Sequence, residues 1–189
     1  RAVKYGVTKD YVLGLEVVLP TGEIINIGTE TMKGVVGYDL TKLMVGSEGT
    51  LGIVTKIILK LLPLPEATKT MLAVFPDMRD AATTVSRITS SKIIPSTLEF
   101  MDKNSISCVD DYANMGLPAD VDALLLIEID GDGELIEKQA EAIKKICLDN
   151  KAREVRVAGD KREVKQLWHI RRAISPSLAK LKPNKINED

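Results

Sequence analysis

The most distinctive candidate for chemistry is an arginine on the apolar face of the last predicted helix. This helix begins near Asp160, because Asp160 and Glu163 have the spacing of a capping box. Four side chains share a face with Arg171 at helical spacing, namely Val164, Leu167, Trp168 and Ser175. An unpaired guanidinium on such a face is costly. Arg171 is therefore expected to reach solvent past the helix end, to pair with a protein carboxylate, or to bind an anionic ligand.

A second candidate is a glycine-rich segment, residues 46–55, which runs into a predicted strand. Its sequence, GSEGTLGIVT, places three glycines within seven residues, and glycine lets another group approach the backbone closely. The segment lacks the Gly-Lys-Ser/Thr of a P-loop and the GxGxxG of dinucleotide-binding folds. From the spacing alone, a structural turn with a bulge is favoured, and a nucleotide held by backbone groups is the alternative.

The other residue types leave little material for metal or triad chemistry. His169 is the only histidine, and Cys108 and Cys147 form no CxxC pair. A zinc site or a Ser–His–Asp triad is therefore poorly supplied, and no catalytic residue or metal ligand is assigned. His169 lies on the polar face of its helix and is expected to be solvated. The two cysteines fit small core residues in a reducing compartment.

Composition and charge exclude several classes of protein. The 189 residues are 44% hydrophobic and 28% charged, values typical of a globular chain. A net charge of −1 argues against nucleic acid as a partner. No uncharged apolar run approaches the roughly 18 residues of a transmembrane helix, and the chain is expected to be cytoplasmic. It opens at Arg1 rather than at a methionine, which predicts a piece of a longer protein.

The elements that must position these residues divide the chain near residues 61–66, LLPLPE. Before this point we predict strands at 11–19 and 24–27 around a tight turn, a short helix at 39–44, and a well-buried strand at 51–62. The two prolines then form a stiff linker. The predicted domains are residues 1–64 and 66–189.

After the linker, strands and helices alternate. Strands are predicted at 70–75, 96–101, 123–129 and 154–158, with helices between them that begin near Asp77, Asp102 and Gly133. Strand–helix–strand, repeated once, is the plan of a ferredoxin-like domain, an antiparallel sheet with helices on one face. The predicted fold class is therefore α+β.

Several motifs together resemble a known family. They are KYGVT at 4–8, DYVLGLEVVLP at 10–20, GYDL at 37–40, the segment 46–55, and ISPS at 174–177. In this combination the chain resembles the FAD-linked oxidases of the vanillyl-alcohol-oxidase type, in the branch that oxidises glycolate and D-lactate. The resemblance covers essentially the whole chain in order.

The resemblance implies a fold, an activity and a set of site residues. Residues 1–64 would be the C-terminal part of an FAD-binding α+β domain, and 66–189 the N-terminal part of a substrate or cap domain. The activity would be oxidation of a small D-2-hydroxy acid, glycolate or D-lactate, to the 2-oxo acid by hydride transfer to FAD. Arg171 would bind the substrate carboxylate, assisted by Ser175 and Lys185. The cofactor-binding residues would be Gly46, Ser47, Glu48, Gly49, Gly52 and Ile53.

The resemblance also bears on partners and on completeness. It implies an iron–sulphur partner subunit or a quinone as electron acceptor, and it is compatible with a homodimer and with attachment to the inner membrane through a partner. The family's pyrophosphate-binding stretches precede a position like Arg1, so the chain alone is expected to be inactive. Gly34 and Val36 stand where Asn and Thr or Ala are expected, and Lys185 is one residue closer to Arg171 than in some relatives.

A different class of protein remains open as an alternative. Residues 66–189 alone, with ferredoxin-like order, could form a non-enzymatic small-ligand or subunit-association module. In that case Arg171 would form an ion pair at an interface, and the segment 46–55 would be only a tight turn. The first 64 residues argue against this alternative, because such a module does not need them.

Overall fold

A computed structural model describes residues 1–31, 33–182 and 184 of the chain. The chain divides into two compact units. The inserted unit is Gly6–Leu64, and the main unit combines Arg1–Tyr5 with the chain from Pro65 onward. The described elements follow the order α1 (Ala2–Tyr5), β1 (Val12–Val18), β2 (Ile24–Gly28), α2 (Leu40–Met44), β3 (Ile53–Leu59), β4 (Ala67–Phe75), α3 (Met78–Ser90), β5 (Thr97–Asp102), α4 (Lys103–Ala113), β6 (Ala123–Gly131), α5 (Gly133–Asp149), β7 (Glu154–Val157) and α6 (Lys161–Leu181).

The inserted unit contains a three-stranded antiparallel sheet in the order β2–β1–β3. The hairpin between β1 and β2 closes through Gly22, which donates its N–H to the Leu19 carbonyl at 2.8 Å and has a φ of +83°. Only glycine adopts this conformation without strain. A small core forms where Val12, Leu15 and Val17 of β1 pack beneath α2 and its flanking residues.

Strand β3 departs from the sequence-based expectation. A well-buried strand at 51–62 was predicted, but β3 spans Ile53–Leu59 and each of its residues is exposed, Ile53 to 67% and Ile57 to 55%. Its Ile, Val and Leu content signals burial. A strand is buried, however, only where a further layer packs on its faces, and no described element of the inserted unit does so here.

The main unit contains a four-stranded antiparallel sheet in the order β5–β6–β4–β7. Strands β4 and β6 lie at its centre and pair along their whole lengths, from Ala67 opposite Gly131 to Phe75 opposite Ala123. This strand order is that of a ferredoxin-like domain, and the predicted α+β class with an antiparallel sheet is confirmed.

Both faces of this sheet are covered, which corrects one part of the prediction. Helices α3 and α5 pack on one face, as the ferredoxin-like plan requires, but α4 and α6 pack on the other. The physical reason is that β4 and β6 are apolar on both faces, since alternate residues of a strand point to opposite sides. On the second face, the buried hydrophobic residues of the two central strands are Leu72, Val74, Leu124 and Leu126.

Each of the four long helices of the main unit begins after an aspartate. Asp77, Asp102, Asp132 and Asp160 precede α3, α4, α5 and α6, and each side chain accepts at least one N–H from the first helical turn. Such caps satisfy backbone donors that have no partner within the helix. Local sequence therefore fixes the residue at which α6 begins. The number of residues from that point to Arg171 then sets the side of the helix on which Arg171 lies.

Candidate functional site

Two carboxylates interrupt the most apolar strand of the sheet. Glu128 and Asp130 lie on the same side of β6 as Leu124 and Leu126, and they are 1% and 3% exposed. Thr70 and Thr97 flank Glu128 on the neighbouring strands. Together with Glu99, the residues Thr70, Thr97, Glu128 and Asp130 form what we call the polar face, one end of the side of the sheet covered by α4 and α6.

Glu128 is the hub of this polar face. Its Oε2 accepts hydrogen bonds from Trp168 Nε1 at 2.9 Å and from Thr70 Oγ1 at 3.1 Å. Its Oε1 lies 2.8 Å from Arg1 Nη2, without the alignment of a hydrogen bond. A buried carboxylate is stable only with such partners. Glu128 therefore holds α6, β4 and the start of the chain against one point of the sheet.

Asp130 provides a second attachment point for residues 1–5. Its Oδ1 accepts hydrogen bonds from Lys4 Nζ and from the Tyr5 hydroxyl, the latter at 2.9 Å. Burial lowers the pKa of Lys4, but the hydrogen bond and charge of Asp130 outweigh it, so this pKa is raised. The pKa of the Tyr5 phenol is raised by burial and by the same carboxylate. Residues 1–5 are thus attached to β6 by two separate ion pairs.

Arg171 lies beside Glu99 at the β5 edge of this face. Its Nε donates to Glu99 Oε2 at 2.7 Å, and the two side chains are 40% and 34% exposed. Of the three alternatives open for Arg171, the structure shows a pair with a protein carboxylate. The pair uses Nε only, and the other four N–H donors of a guanidinium are on its two terminal nitrogens. A half-exposed guanidinium of this kind can still bind an anion in a bidentate manner.

The other predicted substrate-binding residues are placed as follows. Ser175 is one helical turn after Arg171 on α6 and is exposed. Lys185 lies outside the described residues. His169, expected to be solvated, is exposed on the same helix. The structure thus brings Arg171 and Ser175 to one helix without testing what either binds.

Some buried polar atoms of the main unit have no hydrogen-bond partner among the described residues. They are Thr97 Oγ1, Glu128 Oε1 and Asp130 Oδ2, and all three belong to the polar face. Unsatisfied buried polar atoms are uncommon in proteins and mark places where a water, an ion or a ligand group can bind. The polar face is therefore the part of the described main unit best suited to hold a polar ligand.

The predicted cofactor segment forms an exposed turn in the inserted unit. Thr50 N donates to the Ser47 carbonyl at 3.0 Å, and the residues between, Glu48 and Gly49, have φ values of +51° and +78°. Positive φ at both central positions is typical of a type I′ turn. A Cβ at Gly46 or Gly49 would meet nothing within 4 Å. The surface over this turn is therefore open to an approaching group.

Gly52 has a different role from the other two glycines. A Cβ at this position would lie 2.6 Å from Val17 Cγ1 and 2.9 Å from the Val18 carbonyl oxygen. The requirement for glycine here is thus explained by packing against β1. The adjacent Ile53 side chain is largely exposed.

A separate cleft of about 490 Å³ lies in the inserted unit. Its lining includes Lys9, Lys42, Thr41, Asp10 and Asp39, together with Gly34 and Val36, the positions where Asn and Thr or Ala were expected. None of the six predicted cofactor-binding residues lines it. Its two lysines are matched by two aspartates, and Lys42 Nζ and the Thr41 hydroxyl are already paired with Asp39, so the cleft has no excess of positive charge to favour an anionic group.

Sequence reasoning missed most of the polar face. Glu128 and Asp130 are an i, i+2 pair within LLLIEIDG, and this alternation predicts that both acids point to one side of a strand. Two acids in an otherwise apolar strand require partners, which is the signal that could have identified them. Their basic partners, Arg1 and Lys4, are more than 120 positions away and no local pattern predicts the pairing.

Two further observations concern the described residues only. They contain no cluster of three or more His, Cys, Asp or Glu side chains arranged to hold a metal ion. No helix among them has the length and apolar character needed to span a membrane.

Relatives match nine tenths or more of the chain. The glycolate oxidase subunit GlcD of Bacillus subtilis is 51% identical over 189 residues, which are 100% of this chain and 40% of that protein. A D-lactate dehydrogenase of Anaerostipes hadrus is 35% identical over 181 residues, 92% of this chain and 38% of that protein. The chain thus spans about two fifths of the length of these curated relatives.

The fold is also found in solved structures. That of alkyldihydroxyacetonephosphate synthase superposes with a TM-score of 0.73 at 22% identity, over 95% of this chain and 36% of that one.

The model of a family described as "FAD linked oxidases, C-terminal domain" matches residues 64–189. The resemblance suggested by the sequence motifs is thereby confirmed, and the chain belongs to the family of FAD-linked oxidases.

Proposed function

We propose that the chain is part of an FAD-dependent oxidoreductase that oxidises a small D-2-hydroxy acid, glycolate or D-lactate, to the 2-oxo acid. The observation that carries the proposal is Arg171, a half-exposed guanidinium on an otherwise apolar helix face that Glu99 holds through Nε alone. The matched relatives named as a glycolate oxidase subunit and a D-lactate dehydrogenase support this choice of substrate.

In this proposal Arg171 binds the substrate carboxylate through its two terminal nitrogens. A planar guanidinium and a carboxylate form two parallel hydrogen bonds, which fix the plane and the direction of the acid. The α-carbon then has one orientation relative to the site. Such positioning can lower a reaction barrier by several kcal/mol. Ser175, one turn later, and Lys185 assist in holding the carboxylate.

The inserted unit has features that fit a bound FAD. The open turn at Gly46–Gly49 leaves room above its backbone, and Ile53 offers an exposed apolar side chain. Gly46, Ser47, Glu48, Gly49, Gly52 and Ile53 would hold the cofactor, and Gly52 would also let the segment pack on β1. When bound, FAD supplies the acceptor for the hydride that leaves the α-carbon.

Partners follow from the same proposal. The Bacillus relative is named as a subunit, which supports a complex with further subunits. We propose that electrons leave through an iron–sulphur partner subunit or to a quinone. The non-enzymatic ferredoxin-like module is not favoured, because the relatives named above that cover nine tenths or more of this chain carry the names of oxidoreductases.

The proposal is tested with the complete gene product. Its absorbance is recorded before and after denaturation, and then under anaerobic conditions with glycolate, D-lactate or L-lactate. We expect nearly one released FAD per chain, and bleaching of the flavin absorbance by glycolate or D-lactate but not by L-lactate. A complete gene product that holds no flavin after FAD is added would refute the proposal.

The role of Arg171 is tested by Arg171→Lys, which keeps the charge and removes the planar fork. The neighbouring Arg172→Lys is the matched control, since Arg172 is exposed on another side of the same helix. We expect a kcat/KM reduced about 10- to 100-fold for Arg171→Lys at unchanged flavin content, and no reduction for Arg172→Lys. Loss of flavin with normal turnover per remaining flavin would contradict the assignment.

A further inference from the structure

We propose that Glu99 is a positioning residue for Arg171 and fixes the manner in which Arg171 binds a carboxylate. This inference rests on the proposed function, because it assumes that Arg171 binds the substrate. The assignment follows from one contact, the hydrogen bond of 2.7 Å from Arg171 Nε to Glu99 Oε2.

The choice of Nε has a chemical consequence. A guanidinium can bind a carboxylate side-on, through Nε and one terminal nitrogen, or end-on, through both terminal nitrogens. Because Glu99 occupies Nε, the side-on position is already filled by the protein. A ligand carboxylate is left with the end-on position, which gives the bound acid one orientation instead of two.

Glu99 is well placed to hold Arg171 still. It lies on β5, where it pairs with the buried Leu126 of β6. On α6, Trp168 is three residues before Arg171 and is held by Glu128 on the same face of the sheet. The helix and the guanidinium are therefore both tied to the sheet, one turn apart. A long side chain that is anchored in this way loses less freedom when a ligand binds.

The partial exposure of the pair distinguishes this site from a buried structural ion pair. Glu99 and Arg171 are 34% and 40% exposed, whereas the Glu128 and Asp130 side chains are 2% and 0% exposed. A ligand can therefore reach the guanidinium without breaking its contact with Glu99. Exposed ion pairs contribute little to stability, so the contact is better explained by its holding the Arg171 guanidinium in one orientation.

The inference is tested with Glu99→Ala and Glu99→Gln in the complete gene product. The alanine removes the acceptor, and the glutamine keeps a carbonyl oxygen that can accept from Nε. Glu154→Ala is the matched control, since Glu154 accepts from Arg156 Nε at 2.6 Å on β7, the opposite edge of the same sheet. The readouts are kcat and KM for D-lactate or glycolate, and the dissociation constant of the product, pyruvate or glyoxylate, measured by calorimetry.

We expect Glu99→Ala to lower kcat/KM and to weaken product binding, each about 10- to 100-fold, with unchanged flavin content. Glu99→Gln should recover most of both, and Glu154→Ala should match the unmodified protein. Combined with Arg171→Ala, Glu99→Ala should add no more than about a twofold change, because the two residues act as one.

The outcomes separate this inference from the proposed function. If Arg171→Ala leaves product binding and kcat/KM unchanged, the proposed function of Arg171 fails. If Arg171→Ala weakens both but Glu99→Ala behaves like Glu154→Ala, only the positioning role is overturned. Tighter product binding in Glu99→Ala would also overturn it, because Glu99 would then be a competitor of the substrate.

Discussion

Thr70→Val removes one hydroxyl donor from a buried carboxylate and changes little else. Thr70 is 0% exposed at the centre of β4, and its Oγ1 donates to Glu128 Oε2 at 3.1 Å. Valine is also β-branched and nearly the same size, so strand geometry and packing are kept. A hydrogen bond to a charged group contributes about 1.5–3 kcal/mol, while an added buried methyl gains about 0.8 kcal/mol. The net loss of stability should be about 1–2 kcal/mol.

The measurement is urea and thermal unfolding followed by the fluorescence of Trp168, the only tryptophan. Trp168 also binds Glu128, so the signal reports on the main unit. At about 2–4 °C per kcal/mol for a chain of this size, Tm should fall by about 2–8 °C. Thr68→Val is the matched control, because Thr68 lies two residues earlier on the same strand and is exposed. It should change stability by less than about 0.5 kcal/mol.

Two results would refute this reasoning. Equal stability of the Thr70→Val and Thr68→Val proteins would mean that the Glu128 carboxylate does not depend on the Thr70 hydroxyl. A more stable Thr70→Val protein would mean that apolar contact outweighs the hydrogen bond at this position. In either case the Thr70 hydroxyl would not be a net stabilising partner of Glu128, whose contacts with Trp168 and Arg1 are separate.

Three further outcomes are expected. Burial raises the pKa of Cys147 to about 12, so a thiol reagent at pH 8 should spare Cys147 in the folded chain, label the partly exposed Cys108, and label both in urea. The pKa of Lys4 is raised above its ordinary value of 10.5. Its ion pair with Asp130 therefore stabilises the folded chain fully below pH 10.5, and this stabilisation is lost as the pH rises above 10.5. In Lys4→Gln the free energy of unfolding should fall less steeply above pH 10.5 than in the unmodified protein. Gly52→Ala should lower the urea midpoint measured by circular dichroism, because its Cβ would overlap β1. Such an overlap lowers the free energy of unfolding by about 1–3 kcal/mol. Gly133→Ala, whose Cβ meets nothing within 4 Å, should not lower it.

Local chemistry explains which parts of the fold could be predicted. Ile136, Ala140, Ile143 and Cys147 recur at helical spacing, and all four are buried on α5. Asp77 and Asp160 were expected at helix starts and cap α3 and α6. These features depend on residues within a few positions of one another, where spacing determines which side chains share a face.

Features that depend on distant residues could not be predicted in the same way. The burial of β3 was expected from its composition, but exposure is set by what packs on the strand. At the candidate site, the pairing of Arg171 with a carboxylate was one of three alternatives, and the choice of Glu99, 72 positions away, is made by sheet register. The roles of Ser175, Lys185 and the turn at 46–49 remain predictions.

The attachment of residues 1–5 to β6 has a consequence for the order in which the chain folds during synthesis. Lys4 leaves the ribosome before its partner Asp130, which is made 126 residues later, after on the order of ten seconds of elongation. The inserted unit, Gly6–Leu64, has all of its own strands by then and can fold before residues 1–5 are able to contact β6. The ion pairs of Glu128 and Asp130 can form only when β6 has emerged, and Trp168 reaches Glu128 later still.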